Sequence, residues 1–408
     1  MNDDTGRRSL YRDGAIADGR SDTLQLGMSI LVEGGRIAWM RPTDGEEDTG
    51  SAAGLEVVDA GGATIVPGMV DAHSHLTMPG GSHWIERGSD PPPVAVATAA
   101  RNAALLTSAG VRWARDVGAP VGRDPVDGRE RALSLGIRDR ARGRAGWPHI
   151  RAAGTWIGGP GALGELGVEV ADADALVAAA ERQLDDGADF VKLYLDGGDP
   201  TVCPWSVDEI ARVVAAIHAR GARVTAHSGR IDGARKGVAG GVDAIEHGFE
   251  LDDEIAAEMA RRGTFLVSTL AIFRSWASFG TTTAIERFAG AAGKASIAAR
   301  RERAEAAVAA ARRAGVRIAT GTDFGGGSTR ANQLAWEVES LVAAGLEPWE
   351  ALAAATWRGG ELLGEPDAGA LREGGPADFA LVHGDPLSDP AALWRVWRVA
   401  WATDPAAD

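Results

Sequence analysis

From about residue 68 to residue 365, short apolar runs alternate with alanine-rich segments of helical period. The runs begin near Gly68, Val111, His149, Asp189, Ala222, Ala244, Thr264 and Val316, and each is short enough to be a strand. Segments such as 94–108, 173–186, 207–220 and 297–314 lie between them and read as helices. Strand–helix alternation repeated eight times predicts an α/β protein built on a (β/α)8 TIM barrel, which typically needs ~250 residues. A doubly wound open sheet is the competing fold, but no Gly-x-Gly-x-x-Gly phosphate turn follows the first strand. The stretch 274–295 exceeds a plain connection and predicts a helical lid.

Both ends of the chain have a different texture. The runs 29–33, 34–40, 55–59 and 63–66 are β-branched and punctuated by glycine, and 377–383 and 395–401 resemble them. These ends are expected to pair into one small composite β-sandwich, residues 1–67 with 366–408, flanking a barrel over 68–365. The polar, acidic stretch 43–53 reads as an exposed loop.

Composition narrows the partners. With 408 residues the chain can build one large domain and a smaller one. A formal charge of -15 argues against nucleic acid, whose phosphates need a basic face. No apolar stretch approaches a membrane span, and the polar start has no apolar run behind it to serve as a signal peptide. Cys203 is the single cysteine, so no internal disulfide forms; a cytoplasmic location is the expectation. Only Lys192, Lys236 and Lys294 stand against many arginines, so a lysine inside an apolar strand is a marked feature.

The first barrel run ends in Val70-Asp71-Ala72-His73-Ser74-His75-Leu76. Side chains alternate along a strand, so His73 and His75 project from one face, and two converging imidazoles suit a transition metal better than a core. Lys192, His227, His247 and Asp323 also sit at the ends of short apolar runs. In a barrel, catalytic side chains occupy those C-terminal strand ends. A lone histidine there is usually structural and a lone aspartate is often a helix cap; six such residues on five strands are not.

The order His-x-His, Lys, His, His, Asp resembles the amidohydrolase superfamily of metal-dependent hydrolases. Further stretches carry the resemblance along nearly the whole chain: Val32-Glu-Gly-Gly-Arg-Ile, Gly110-Val-Arg-Trp-Ala-Arg-Asp-Val-Gly, Gly240-Gly-Val-Asp-Ala-Ile-Glu-His-Gly and Gly375-Pro-Ala-Asp-Phe-Ala-Leu-Val-His. They look like the imidazolonepropionase-like, Xaa-Pro dipeptidase-like branch. The resemblance implies two divalent ions, with zinc the default for imidazole and carboxylate ligands. His73, His75 and Asp323 would hold the more buried ion and His227 and His247 the other. A carbamate formed from Lys192 and CO2 would bridge them together with a hydroxide. Burial favours the neutral amine such a reaction needs, and arginine could not replace it because its guanidinium stays protonated. Asp323 would take a proton from the hydroxide and pass it to the leaving amine.

Two departures bear on the substrate. Where members of this branch often carry a Gly-Gly-His-Gly loop after strand three, this chain has Gly158-Gly159-Pro160-Gly161. Where many carry an aromatic residue after the strand-five histidine, this chain reads His227-Ser228-Gly229-Arg230. Arg230 is therefore a candidate to bind a substrate carboxylate, the alternative being a surface arginine. His83 is read as a solvated loop residue, Asp116 as a loop orienter, and Trp84 and Trp156 as pocket wall. The expected function is hydrolysis of an amide-type C–N bond in a small molecule, a dipeptide or N-acyl amino acid first, a cyclic amide or lactone second. A mononuclear deaminase would offer a glutamate soon after His227, and residues 228–232 hold none. A catalytically dead scaffold would have lost ligands, and none of the six is missing. Assembly with further copies of the chain is left open.

Overall fold

A computed structural model describes residues 8–45 and 54–402. Eight parallel strands occupy the middle: Met69–Ser74, Val111–Asp116, His149–Ala152, Phe190–Tyr194, Arg223–Ser228, Ala244–His247, Phe265–Ser268 and Ile318–Thr320. The first three form one ladder and the last five another, the latter extended by the short strands Trp156–Gly158 and Val168–Glu169. Two seams close the ring. The Asp189 amide donates to the Ala152 carbonyl at 2.9 Å, joining strands three and four. The Asp323 amide donates to the His73 carbonyl at 2.9 Å and the His75 amide to the Phe324 carbonyl at 3.0 Å, joining strand eight to strand one. The second seam thus lies on the metal-type residues themselves.

These strands form where the sequence places short β-branched runs buried on both faces, the usual state of a parallel sheet under helices. The helices begin at clear signals. Asp172 caps Ala173–Asp185 by accepting from the Ala175 amide, and Ser206 with Glu209 forms a reciprocal capping box on Val207–Ala219. That second helix buries Ile210, Val213, Val214 and Ile217, a spacing of three and four that lays one face on the barrel. Each such side chain contributes about 1.5–3 kcal/mol by leaving water.

The two chain ends share one seven-stranded sheet, in which Phe379–His383 runs antiparallel to Ala63–Pro67. Tyr11, Ile30, Ile37, Ile65, Phe379 and Leu381 pack as its core. Strand Ala63–Pro67 runs through Gly68 directly into the first barrel strand, so the sheet also fixes where His73 and His75 emerge. Buried Arg112 ties the two parts together by donating to Asp378 at 3.0 Å.

The long connection after strand seven is helical, as its length predicts: Ala271–Ser278, Glu286–Ala289 and then Ala291–Ala314. It leans on the loop after strand one. Trp276 stacks on Trp84 at 6.1 Å, and Arg287 covers the Trp84 ring while donating to the Ser82 carbonyl at 3.0 Å. The expected loop 43–53 starts as a single turn, Thr43–Gly45; its remainder and the polar N-terminal stretch lie outside the described residues. No helix among the described residues is long and apolar enough to cross a membrane.

Candidate metal centre

His73 and His75 leave the end of strand one toward the barrel axis, and Asp323 faces them from the end of strand eight. His73 Nε2 lies 3.5 Å and His75 Nε2 3.4 Å from the same oxygen, Asp323 Oδ1. One ligand atom each from His73, His247 and Asp323 fall within 4.8 Å of one another. Small residues make this approach possible: a Cβ at Gly321 would collide with the His73 backbone, and one at Gly326 with the His75 ring. The backbone is also held out of its ordinary range. His247 (φ 67°) and Asp323 (φ 51°) both adopt the left-handed region, at a cost of order 1–3 kcal/mol each.

The far side of each ring shows which nitrogen is free. His73 Nδ1 contacts the carboxylate of Glu246 at 2.6 Å, and His75 Nδ1 the carbonyl of Gly118 at 2.8 Å. Neither oxygen can donate, so both Nδ1 atoms carry the proton and both Nε2 atoms present lone pairs. Burial drives His73 down to about 4, with Lys192 adding to the effect and Glu246 opposing it, so its ring stays neutral near pH 7. Burial pushes the Asp323 carboxyl up, but His75, His73 and Lys192 outweigh that and hold it below its usual value. Two imidazole nitrogens and a carboxylate oxygen therefore converge as electron-pair donors. That donor set fits a divalent cation. On His247, Nδ1 contacts Thr269 Oγ1 at 2.8 Å, again leaving Nε2 for the centre.

Lys192 is fully buried on strand four, and its Nζ has no hydrogen-bond partner. Burial lowers it to about 8, with Arg115 assisting and Glu246 and Asp323 opposing. An orphaned amine among these groups is what a carbamate site needs: close enough to neutral to react, and unspent on any neighbour.

His227 is the outlier. Its ring sits 4.5 Å from that of His247 and stacks on Tyr194 at 3.9 Å, but its Nε2 contacts Asp196 at 3.2 Å. This leaves Nδ1 as the nitrogen to face the centre. His227 also borders an open cleft of about 290 Å³ whose lining includes Tyr194, Phe249, Arg230, Glu250, Arg300 and Arg303. Arg230 lines this cleft, with Nη1 on Glu250 Oε1 at 2.8 Å.

Other expectations resolve locally. Asp116 accepts from the Leu76 and Gly118 amides at 2.8 and 3.1 Å, so it orients the loop that bears on His75. His83 is exposed, Trp156 lies 5.2 Å from the His75 ring, and Trp84 sits under the helical cap. In the Gly158–Gly161 loop, Glu169 accepts from the amides of Gly161, Leu163 and Gly164 at 2.8–2.9 Å, which holds it without a histidine.

Glu246 was not singled out from the sequence, and it is central. It is fully buried, contacts His73, donates nothing, and accepts from Thr225 and from Arg115 Nη1, the latter at 2.7 Å. Burial raises its carboxyl, yet Arg115, Lys192 and His73 bring it well below its usual value. A charge inside the run Ala-Ile-Glu-His is the same signal that marks Lys192. Asp196, Thr269 and Arg300 carry no comparable mark.

The sequence matches the amidohydrolase family over residues 64–400. An uncharacterized protein of Mycobacterium tuberculosis (strain ATCC 25618 / H37Rv) is 33% identical over 371 residues, 90% of this chain and 91% of that one. Ochratoxinase of Aspergillus niger is 29% identical over 255 residues, 59% of this chain and 51% of that one. The structure of an Xaa-Pro dipeptidase with methionine bound in its active site shares the fold, with a TM-score of 0.82 and 24% identity over 97% of this chain and 98% of that one.

Proposed function

The chain belongs to the amidohydrolase family, and from that premise we propose that it is a metal-dependent hydrolase of small amides that carry a carboxylate, a dipeptide or an N-acyl amino acid. The observation that carries this reading is the meeting of His73 Nε2, His75 Nε2 and Asp323 Oδ1 as three electron-pair donors without a proton to share. His73, His75 and Asp323 would hold one ion, His227 and His247 a second, and Lys192 as its carbamate would bridge them, with zinc the expected metal. Divalent ions bound there would lower the pKa of water and polarise a carbonyl oxygen.

The remaining work falls to the protein. For the carbamate, the neutral Lys192 amine would add to CO2: its lone pair forms the N–C bond, one C=O π pair moves onto oxygen, and the N–H proton passes to water. Asp323, whose carboxyl lies below its usual value, takes the proton of the attacking water and returns it to the departing nitrogen, so that the amide and one water give an acid and an amine. Glu246 and Gly118 hold the His73 and His75 rings in the tautomer that points Nε2 inward. The cleft beyond His227, with Arg230 in its wall, would receive the substrate's carboxylate, and Phe249 and Tyr194 its apolar part. The dipeptidase whose fold this chain shares supports a dipeptide as one form of substrate. A small-molecule substrate, rather than nucleic acid or a membrane, and a cytoplasmic location complete the proposal.

Turnover of a panel of dipeptides, N-acyl amino acids, lactams, lactones, amino-purines and amino-pyrimidines by the metal-loaded protein tests it. Dipeptides or N-acyl amino acids should be cleaved best. Preference for lactones or lactams would overturn the substrate class, and preference for an amino-purine or amino-pyrimidine would replace hydrolysis of amides with deamination.

A further inference from the structure

The cleft beside His227 is lined by three arginines, Arg230, Arg300 and Arg303, and two carboxylates, Asp196 and Glu250. Their bonds are unequally shared. Asp196 contacts His227 Nε2 and accepts from the Gly229 amide at 3.0 Å. Glu250 accepts from Arg230 at 2.8 Å and pairs with Arg303 at 3.5 Å through the same oxygen. Arg300 has no hydrogen bond or ion pair among the described residues. Its guanidinium lies instead over the rings of Trp276, at 5.1 Å, and Phe273, at 5.9 Å.

This arrangement has a chemical consequence. Rings that cover the face of a guanidinium fix its plane and leave the in-plane N–H groups free. Those N–H groups form the fork that matches a carboxylate bidentately. Arg300 is half-buried, and burial together with the neighbouring Arg230 and Arg303 already disfavours its charge, so an anion placed there would relieve the cost. The long helix Ala291–Ala314 carries Arg300, while Trp276 comes from the preceding cap helix, so the cap positions it.

We propose that Arg300 is the residue that binds the carboxylate of the substrate, while Arg230, held by Glu250, adds only its charge to the same cleft. This rests on the hydrolase reading above and narrows it: the favoured amide carries its anionic group at the cleft end, away from His73 and His75. Neutral amides would leave the fork unmet.

N-acetyl amino acids and their primary carboxamides, which differ only in that charge, test it with the metal-loaded protein. Arg300→Met should raise KM for the acids about tenfold or more, the effect of losing a charge-assisted pair, and change the carboxamides less than about twofold. Arg300→Lys should recover part of the loss, because the charge returns without the fork. Arg230→Met should have the smaller effect on the acids. Calorimetric binding of the same acids should weaken in parallel in Arg300→Met. Equal losses on acids and carboxamides, no loss on either, or a larger effect from Arg230→Met would overturn the assignment, as would a wild-type protein that binds none of the acids. A wild type that binds the acids through Arg300 and cleaves no amide would instead overturn the proposed hydrolysis and leave the anchor standing.

Discussion

The two sides of the centre are built to different standards. On the strand-one side, both histidines have a buried partner behind them: Glu246 behind His73, the Gly118 carbonyl behind His75, and Arg115 behind Glu246 in turn. On the side of strand five, His227 leans on Asp196 at the edge of an open cleft and stacks on Tyr194. A ring locked from behind in a dry interior cannot turn, and its partners act at low dielectric. A ring at the cleft can answer to what occupies the cleft. On the proposed function, the first side would hold an ion and the second would couple an ion to a substrate.

The difference can be broken first at Lys192, which belongs to both sides. Lys192→Arg keeps charge and length but cannot carry CO2, and it should lower metal content and kcat/KM by more than the ~10–100-fold typical of losing a group behind a ligand. Metal analysis alongside kinetics reads this, and a variant with wild-type metal content and activity would remove the bridging role.

Glu246→Gln comes next and probes the locked side. It strips the charge that faces Arg115 and leaves one amide oxygen where His73 on one side and Arg115 with Thr225 on the other now use two carboxylate oxygens, so metal affinity should fall roughly 10–100-fold. The unpaired buried Arg115 should also cost about 3–5 kcal/mol of stability. Thermal unfolding of the metal-free variant isolates the second effect from the first. Unchanged stability would mean that Arg115 finds another partner.

Asp196→Asn is the matching change on the open side, and its effect should be the smallest. An amide oxygen can still accept from the Gly229 amide, and Asp196 backs a ring already held by stacking on Tyr194. Metal affinity should fall less than about tenfold, below the range for a locked partner. A loss equal to that of Glu246→Gln would erase the contrast between the two sides.

Much of this was open to reading in the chain itself. The eight strands start where the apolar runs do, because strands buried on both faces leave little choice of residue. His73, His75, Lys192, His247 and Asp323 stood out because each is a charge or a ring that an apolar strand would otherwise exclude. Glu246 carries that same signal and was overshadowed by the histidine beside it. Arg300 was out of reach for a different reason. One arginine among several on a long surface-type helix becomes distinctive only when Trp276 and Phe273, more than twenty residues upstream, fold beneath it and no carboxylate reaches it. The seven-stranded sheet of the chain ends was foreseeable in its pairing of both termini, while the order of its strands depends on long-range register that local pattern does not encode.

On the proposed function, the facing lone pairs of His73, His75 and Asp323 would hold a metal on which hydrolysis depends. Metal content per chain, measured on the purified protein before and after chelation with amide hydrolysis followed in parallel, tests it most directly. The purified protein should hold more than one equivalent of transition metal per chain, lose activity as the metal leaves, and recover it when zinc and bicarbonate are restored. Full hydrolytic activity in a metal-free protein would contradict it.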